Sequence, residues 1–170
     1  MTQYIALLRA VNVGGTGKLS MTDLKAVCVD AGFTHVKTYI TSGNVVFESR
    51  VSPAKVKAVL EAKLLAHAGK PVGVVVRTAS EMHAVLDENP FPNNPANHTV
   101  AIFLDRPPPP DALDDAVGRV DEEMRLGSRE IYVHYGAGIG RSKLKIPAAH
   151  DGTARNMNTI ARLIAMTRDR

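Results

Sequence analysis

The chain has 170 residues, 45% hydrophobic and 22% charged, which suits one folded domain or two small halves sharing a core and excludes a disordered chain. A single cysteine, Cys28, excludes an intramolecular disulfide and any cluster of metal-bound thiolates. The net charge of +4 hides segregation: residues 1–77 carry ten Lys and Arg against four Asp and Glu, residues 78–124 two against ten, and residues 125–170 nine against three.

Gln3 to Ala10 reads as the first strand, because Tyr4, Ile5, Ala6, Leu7 and Leu8 make an almost unbroken apolar run suited to a central strand with both faces covered. Asn12 to Lys18 is a glycine-rich loop. Ser20 then caps a helix in which Asp23 completes an acidic capping box, Leu24, Val27, Cys28 and Ala31 form the inner stripe, and Gly32 stands at the left-handed C-terminal cap. Cys28 is therefore expected to be a buried small hydrophobe. Val36 to Thr41 and Val45 to Ser49 are β-branched strands around a tight hairpin at Ser42-Gly43-Asn44. Pro53 opens a second helix that runs to about His67, with Val56, Val59, Leu60 and Leu64 inward, and Val72 to Arg77 is the fourth strand. The order over residues 3–77 is that of a ferredoxin-like β-α-β-β-α-β unit.

The second half is expected to be a looser copy. A helix from about Ser80 to Asp87 leads into the Pro-rich loop Asn89 to Pro95, and Thr99 to Leu104 is a strand. Pro107 to Pro110 is extended, and an acidic helix follows from about Asp111 to Met124. Glu130 to Tyr135 is a strand, Gly136, Gly138 and Gly140 turn the chain toward Leu144 and Ile146, and a final helix covers roughly Ala154 to Thr167. The fold class is α+β: a ferredoxin-like half over residues 1–78 and an imperfect β-α-β-β-α half over residues 79–170, packed as one compact domain.

Gly14-Gly15-Thr16-Gly17-Lys18 lies between strand and helix but is not a G-x-x-x-x-G-K-[ST] phosphate loop, which needs Gly at Asn12 and Ser or Thr at Leu19. What it offers is free backbone N–H groups at a helix start, flanked by Arg9 and Lys18. The alternative is that the glycines serve only a tight turn. Near the C-terminus, Arg155, Asn158, Thr159 and Arg162 share a polar helical stripe, and Arg with Asn suits a carboxylate, a phosphate or a base edge. The structural alternative is that Thr153, Asn156 and Asn158 cap the helix and Arg155 is paired internally. On a strand, Arg141, Lys143 and Lys145 would share one face, either tracking a nucleic-acid backbone or protecting an edge. Six histidines, at positions 35, 67, 83, 98, 134 and 150, lack ligand spacing, so no metal is expected. No catalytic motif stands out. No apolar run approaches the ~20 residues of a membrane span, and a cytoplasmic address is the default.

Three stretches carry a family resemblance: Leu7-Leu8-Arg9-Ala10-Val11-Asn12-Val13-Gly14-Gly15, Thr38-Tyr39-Ile40-Thr41-Ser42-Gly43-Asn44-Val45-Val46-Phe47, and Thr153-Ala154-Arg155-Asn156-Met157-Asn158-Thr159. With Asn89-Pro90-Phe91 and the Ile131-Tyr132 strand between them, the chain resembles domain-of-unknown-function family 1697 over its whole length. It departs at Met157, where the family pattern often has Trp, and at Ala10, where it often has Gly. The resemblance implies a bacterial α+β protein of ferredoxin-like halves and implies no reaction, cofactor or partner. Residues and resemblance together point to Arg9, Asn12, Gly14, Gly15, Lys18, Ser42, Asn44, Arg155 and Asn156 as ligand-binding positions, with Arg9, Asn44 and Arg155 expected to converge. The leading expectation is a binding domain for an anionic ligand, a nucleotide-like small molecule or nucleic acid, without a cofactor. The alternatives are an enzyme on a phosphorylated or carboxylated substrate and a homo-oligomeric interaction module; monomer and homodimer are both open.

Overall fold

The apolar run near the N-terminus becomes the middle of a sheet. The computed structural model describes residues 1–9, 19–39 and 43–168, and it divides into two compact units, Met1–His83 with Arg162–Arg170, and Ala84–Ala161. In the first unit β1 (Thr2–Leu8) lies between β3 (Asn44–Ser49) and β4 (Val74–Thr78), with β2 (Thr34–Tyr39) outside β3. All neighbours are antiparallel, and the order β2-β3-β1-β4 is that of a β-α-β-β-α-β unit. Helices α1 (Met21–Asp30) and α2 (Pro53–Ala68) fill its crossovers.

Alternation along the strands assigns the faces. Tyr4, Ala6, Leu8, Val45, Phe47, Val74 and Val76 share one core with Leu24, Cys28, Val56, Leu60 and Leu64 of the two helices. Ile5, Leu7, Val46 and Val75 on the other face are buried as well, which is why β1 is apolar without alternation. That second face also buries Asn44, Glu48 and Arg77. The tail of α4 (Met157–Arg168) reaches it, where Gln3 Nε2 donates to the carbonyl of Thr167. The helix ends follow local chemistry. Ser20 Oγ accepts from Asp23 N at 3.0 Å, Ser52 Oγ accepts from Lys55 N at 3.3 Å, and Gly69 closes α2 at φ +74°.

A reciprocal capping box starts α3 (Ala79–Asp87): Thr78 N donates to Glu81 Oε1 at 2.8 Å and Glu81 N to Thr78 Oγ1 at 3.1 Å. In the second unit β5 (Thr99–Phe103) lies between β7 (Glu130–His134) and β8 (Thr153–Asn156), with β6 (Glu123–Leu126) outside β7. The antiparallel order β6-β7-β5-β8 repeats that of the first sheet, strand for strand. The departure lies in the crossovers, which here hold no α-helix among the described residues.

Two sequence expectations change accordingly. The stretch Asp111 to Met124 is not a helix but a series of tight turns ending in β6. Successive three-residue hydrogen bonds (Ala112 N to Pro109 O, Asp114 N to Asp111 O, Ala116 N to Leu113 O) never lengthen into an α-helix, and Gly118 at φ +76° turns the chain away. Asp at three of these positions competes for backbone bonds, which favours turns over helix. The final helix begins at Met157 rather than Ala154, because Thr153–Asn156 pairs with β5 as a fourth strand. A strand of four residues whose inward positions are Thr153 and Arg155 leaves no apolar period to read.

Candidate functional site

The two crossovers of the second unit lie over the face of its sheet that carries Val100, Ile131, Val133 and Met124. They close that core with Leu113, Ala116, Leu144 and Ile146. Backbone bonds tie them together: Val117 N donates to Lys145 O at 2.9 Å and Lys145 N to Val117 O at 2.8 Å. Beside this bridge the chains are in close contact, since a Cβ on Gly118 would lie 2.2 Å from the carbonyl oxygen of Lys143. A Cβ on Gly136 would likewise lie 2.7 Å from Asp121 Oδ2.

Glu122 is the joint between the crossovers. Its side chain is 2% exposed; Oε1 accepts from Val120 N at 2.6 Å and Asp121 N at 3.0 Å, and Oε2 accepts a short bond from the Ser142 hydroxyl. Its carbonyl accepts from Arg119 Nε at 2.6 Å, which fixes that guanidinium. The Ser142 hydroxyl, followed by the Val120 amide, holds the Glu122 carboxyl down at about 2, so it stays ionised.

Around this joint is a cavity of about 420 Å³, lined by Gly118, Arg119, Val120, Arg141, Ser142 and Lys143 together with Asp121, Glu122, Ala137 and Gly138. Its walls therefore hold three cations against two carboxylates, and Glu122 already accepts three hydrogen bonds. Among the described residues, Arg141 and Lys143 have no carboxylate partner. Residues 141 to 146 are not a regular strand, yet they alternate as expected: Arg141, Lys143 and Lys145 point to solvent, while Ser142, Leu144 and Ile146 turn inward. Sequence reasoning found that row of cations but not the cavity, because Arg119 and Glu122 come from the other crossover and no local pattern links them.

Of the residues singled out from sequence, Arg9 and Asn44 belong to the first unit and Arg155 to the second. Arg9 and Asn44 sit at one end of the first sheet, with Arg9 N donating to Gly73 O at 2.9 Å and Asn44 opposite Leu7. Asn44 is fully buried and its Nδ2 donates to Tyr39 O at 2.9 Å, closing the hairpin between β2 and β3. Arg155 belongs to the second unit, where Nη1 donates to Thr153 Oγ1 at 2.7 Å and to Ala154 O at 2.9 Å. Burial lowers its pKa to about 10, still cationic at neutral pH. Asn156 Oδ1 accepts from Thr159 N at 2.9 Å and caps α4. Asn12, Gly14, Gly15, Lys18 and Ser42 lie outside the described residues. Asn89-Pro90-Phe91 forms a turn in which Asn89 Oδ1 accepts from Phe91 N at 2.9 Å, and the Phe91 ring packs 6.1 Å from that of His134. Cys28 is buried and burial pushes its thiol up to about 12, so it packs as a hydrophobe.

Among the described residues, no group of three or more His, Cys, Asp and Glu side chains is placed to hold a metal ion. No helix there is long and apolar enough to cross a membrane. A family model described as "Protein of unknown function (DUF1697)" matches residues 1–132. The chain is also similar to a solved structure, the conserved bacterial protein SP0830 from Streptococcus pneumoniae, with a TM-score of 0.80, 24% identity and 98% of each chain covered. At that identity the likeness shows the fold. No curated protein matches the chain.

Proposed function

The chain belongs to the DUF1697 family of proteins of unknown function, and from its own geometry we propose that it is a binding protein for a small anionic ligand, held in the cavity between the two crossovers of the second unit. The observation that carries this reading is the lining of that cavity by Arg119, Arg141 and Lys143, two of them without a carboxylate partner among the described residues. Its volume of about 420 Å³ falls within the roughly 300–1,000 Å³ of small-molecule sites. Arginines anchor carboxylates and phosphates through charge-assisted, two-pronged bonds. The site supports binding over catalysis: its one buried carboxylate is held at a pKa of about 2, far too low for a general base at neutral pH, and its hydroxyl already donates to that carboxylate.

Titration calorimetry with inorganic pyrophosphate and AMP, run on the wild type and on Arg141→Ala/Lys143→Ala, tests the reading. Loss of one charged hydrogen bond costs about 1.5–3 kcal/mol, so the double variant should bind at least about tenfold more weakly. Wild type that takes neither anion, or a variant that binds as well as wild type, would discard it. The exposed row Arg141, Lys143 and Lys145 favours one second reading, a single-stranded nucleic acid along that row. Three phosphate contacts would then give a logarithmic salt slope of about −2 for a short oligonucleotide. Against this stands the charge of Ala84–Ala161, which holds eight Lys and Arg and eleven Asp and Glu.

A further inference from the structure

Three of the seven exposed large apolar side chains among the described residues belong to the two crossovers that build the cavity: Val117 at 58%, Val120 at 90% and Ile139 at 48%. Val120 lines the cavity itself. Ile139 stands between the lining residues Gly138 and Arg141, and Val117 precedes the lining residue Gly118 and pairs with Lys145. Solvent-facing valine and isoleucine are ordinary when scattered, but flanking a cavity with charged residues in its walls they mark a binding surface. The rim is held in place by the Val117–Lys145 bridge, the close pass of Gly118 against Lys143, and the bonds to Glu122. Cationic walls and an apolar lip select for both ends of one molecule.

We infer that the ligand is a soluble amphiphilic anion, a phosphate or carboxylate head bearing a short alkyl or acyl body. The head sits on Arg119, Arg141 and Lys143, and the body lies over Val117, Val120 and Ile139. This inference rests on the anion-site reading above and adds the apolar half of the ligand. A bare phosphate uses only the cavity, whereas each methylene laid on the rim leaves water. Full burial of a methylene is worth about fourfold in affinity, so partial cover on an open rim should give about two- to fourfold for each of the first few.

The test is a calorimetric series of inorganic phosphate, ethyl phosphate, butyl phosphate and hexyl phosphate against wild type, Val120→Ser and Arg141→Ala/Lys143→Ala. Val120 is so exposed that its replacement leaves the fold intact, which circular dichroism checks. The expected result is affinity that climbs with chain length in wild type and flattens in Val120→Ser, each series read relative to the same protein's affinity for inorganic phosphate. A wild-type series that is flat, while inorganic phosphate binds and is lost in the double variant, overturns the amphiphile and leaves the anion site standing. If neither inorganic nor alkyl phosphate binds, both readings fall. Sedimentation with phosphatidylglycerol vesicles separates the remaining source of such a head group. Wild type that pellets with vesicles while showing a flat soluble series overturns the inference in favour of a lipid surface.

Discussion

Glu122 and Arg155 are both buried and charged, and each is met by hydrogen-bonding groups. Glu122 collects two backbone amides and the Ser142 hydroxyl; Arg155 reaches Thr153 and the carbonyl of Ala154. The pH dependence of Glu122 follows from its pKa. Folding lowers it from 4.5 to about 2, so the carboxylate contributes stability that is complete above pH 4.5 and fades as the pH falls toward 2. Glu122→Gln keeps the shape but removes the titration. Thermal unfolding between pH 5 and pH 2.5 should therefore show the gap between wild type and variant closing on acidification. Parallel curves would remove the carboxylate from that role. At this scale the sequence was partly legible. Ser20, Gly32, Pro53 and Cys28 act as their types and positions indicate, because caps and buried thiols are decided within a turn of helix. Asn156 serves as the helix cap that was one of its two readings. Within the acidic run Asp111 to Met124 nothing in sequence sets Glu122 apart, because the donor that distinguishes it, Ser142, lies in the other crossover.

Elements were legible where a period runs long enough to dominate. The first four strands and two helices follow from alternation and from the i, i+3, i+4 stripe, and the sheet order follows from hairpin and crossover geometry. In the second half the strand order is the same, but the crossovers pack as turns and extended pieces whose apolar residues meet a core through tertiary contacts. Val117 and Lys145 pair across a long separation in sequence, and no window holding one of them sees the other. Gly118 is where this architecture is most exposed to a single change. At φ +76° its backbone is strained for any L side chain, and a Cβ would strike the Lys143 carbonyl at 2.2 Å. Gly118→Ala should destabilise by more than ~1 kcal/mol, whereas Gly140→Ala, with nothing within 4 Å, should stay within ~0.5 kcal/mol of wild type. Urea titration of the two variants measures this; equal midpoints would mean that the crossovers are not pinned there.

On the scale of the whole chain, the last helix matters because it returns to the first unit after the second sheet is complete. Gln3 on β1 donates to the Thr167 carbonyl, and Met166 and Thr167 lie beside Gln3, Val46 and Glu48 on the second face of the first sheet. The same tail holds Leu163 and Ile164, 0% and 6% exposed. Stripping one large buried side chain costs about 2–5 kcal/mol, and a domain holds only about 5–15 kcal/mol in total. A chain ending at Ala161 loses both side chains and the bond to Gln3. It should fall by more than ~4 kcal/mol, a large share of that stability. Leu163→Ala alone should lose about 2–5 kcal/mol, which separates packing from mere shortening. The loss should also have an address: hydrogen exchange should show protection falling first at the amides of β1 and β3, which the tail reaches. A shortened chain with the urea midpoint of wild type and full protection in β1 and β3 would mean that the first sheet is complete without its C-terminal segment, and that the buried Glu48 and Arg77 are held by other neighbours alone.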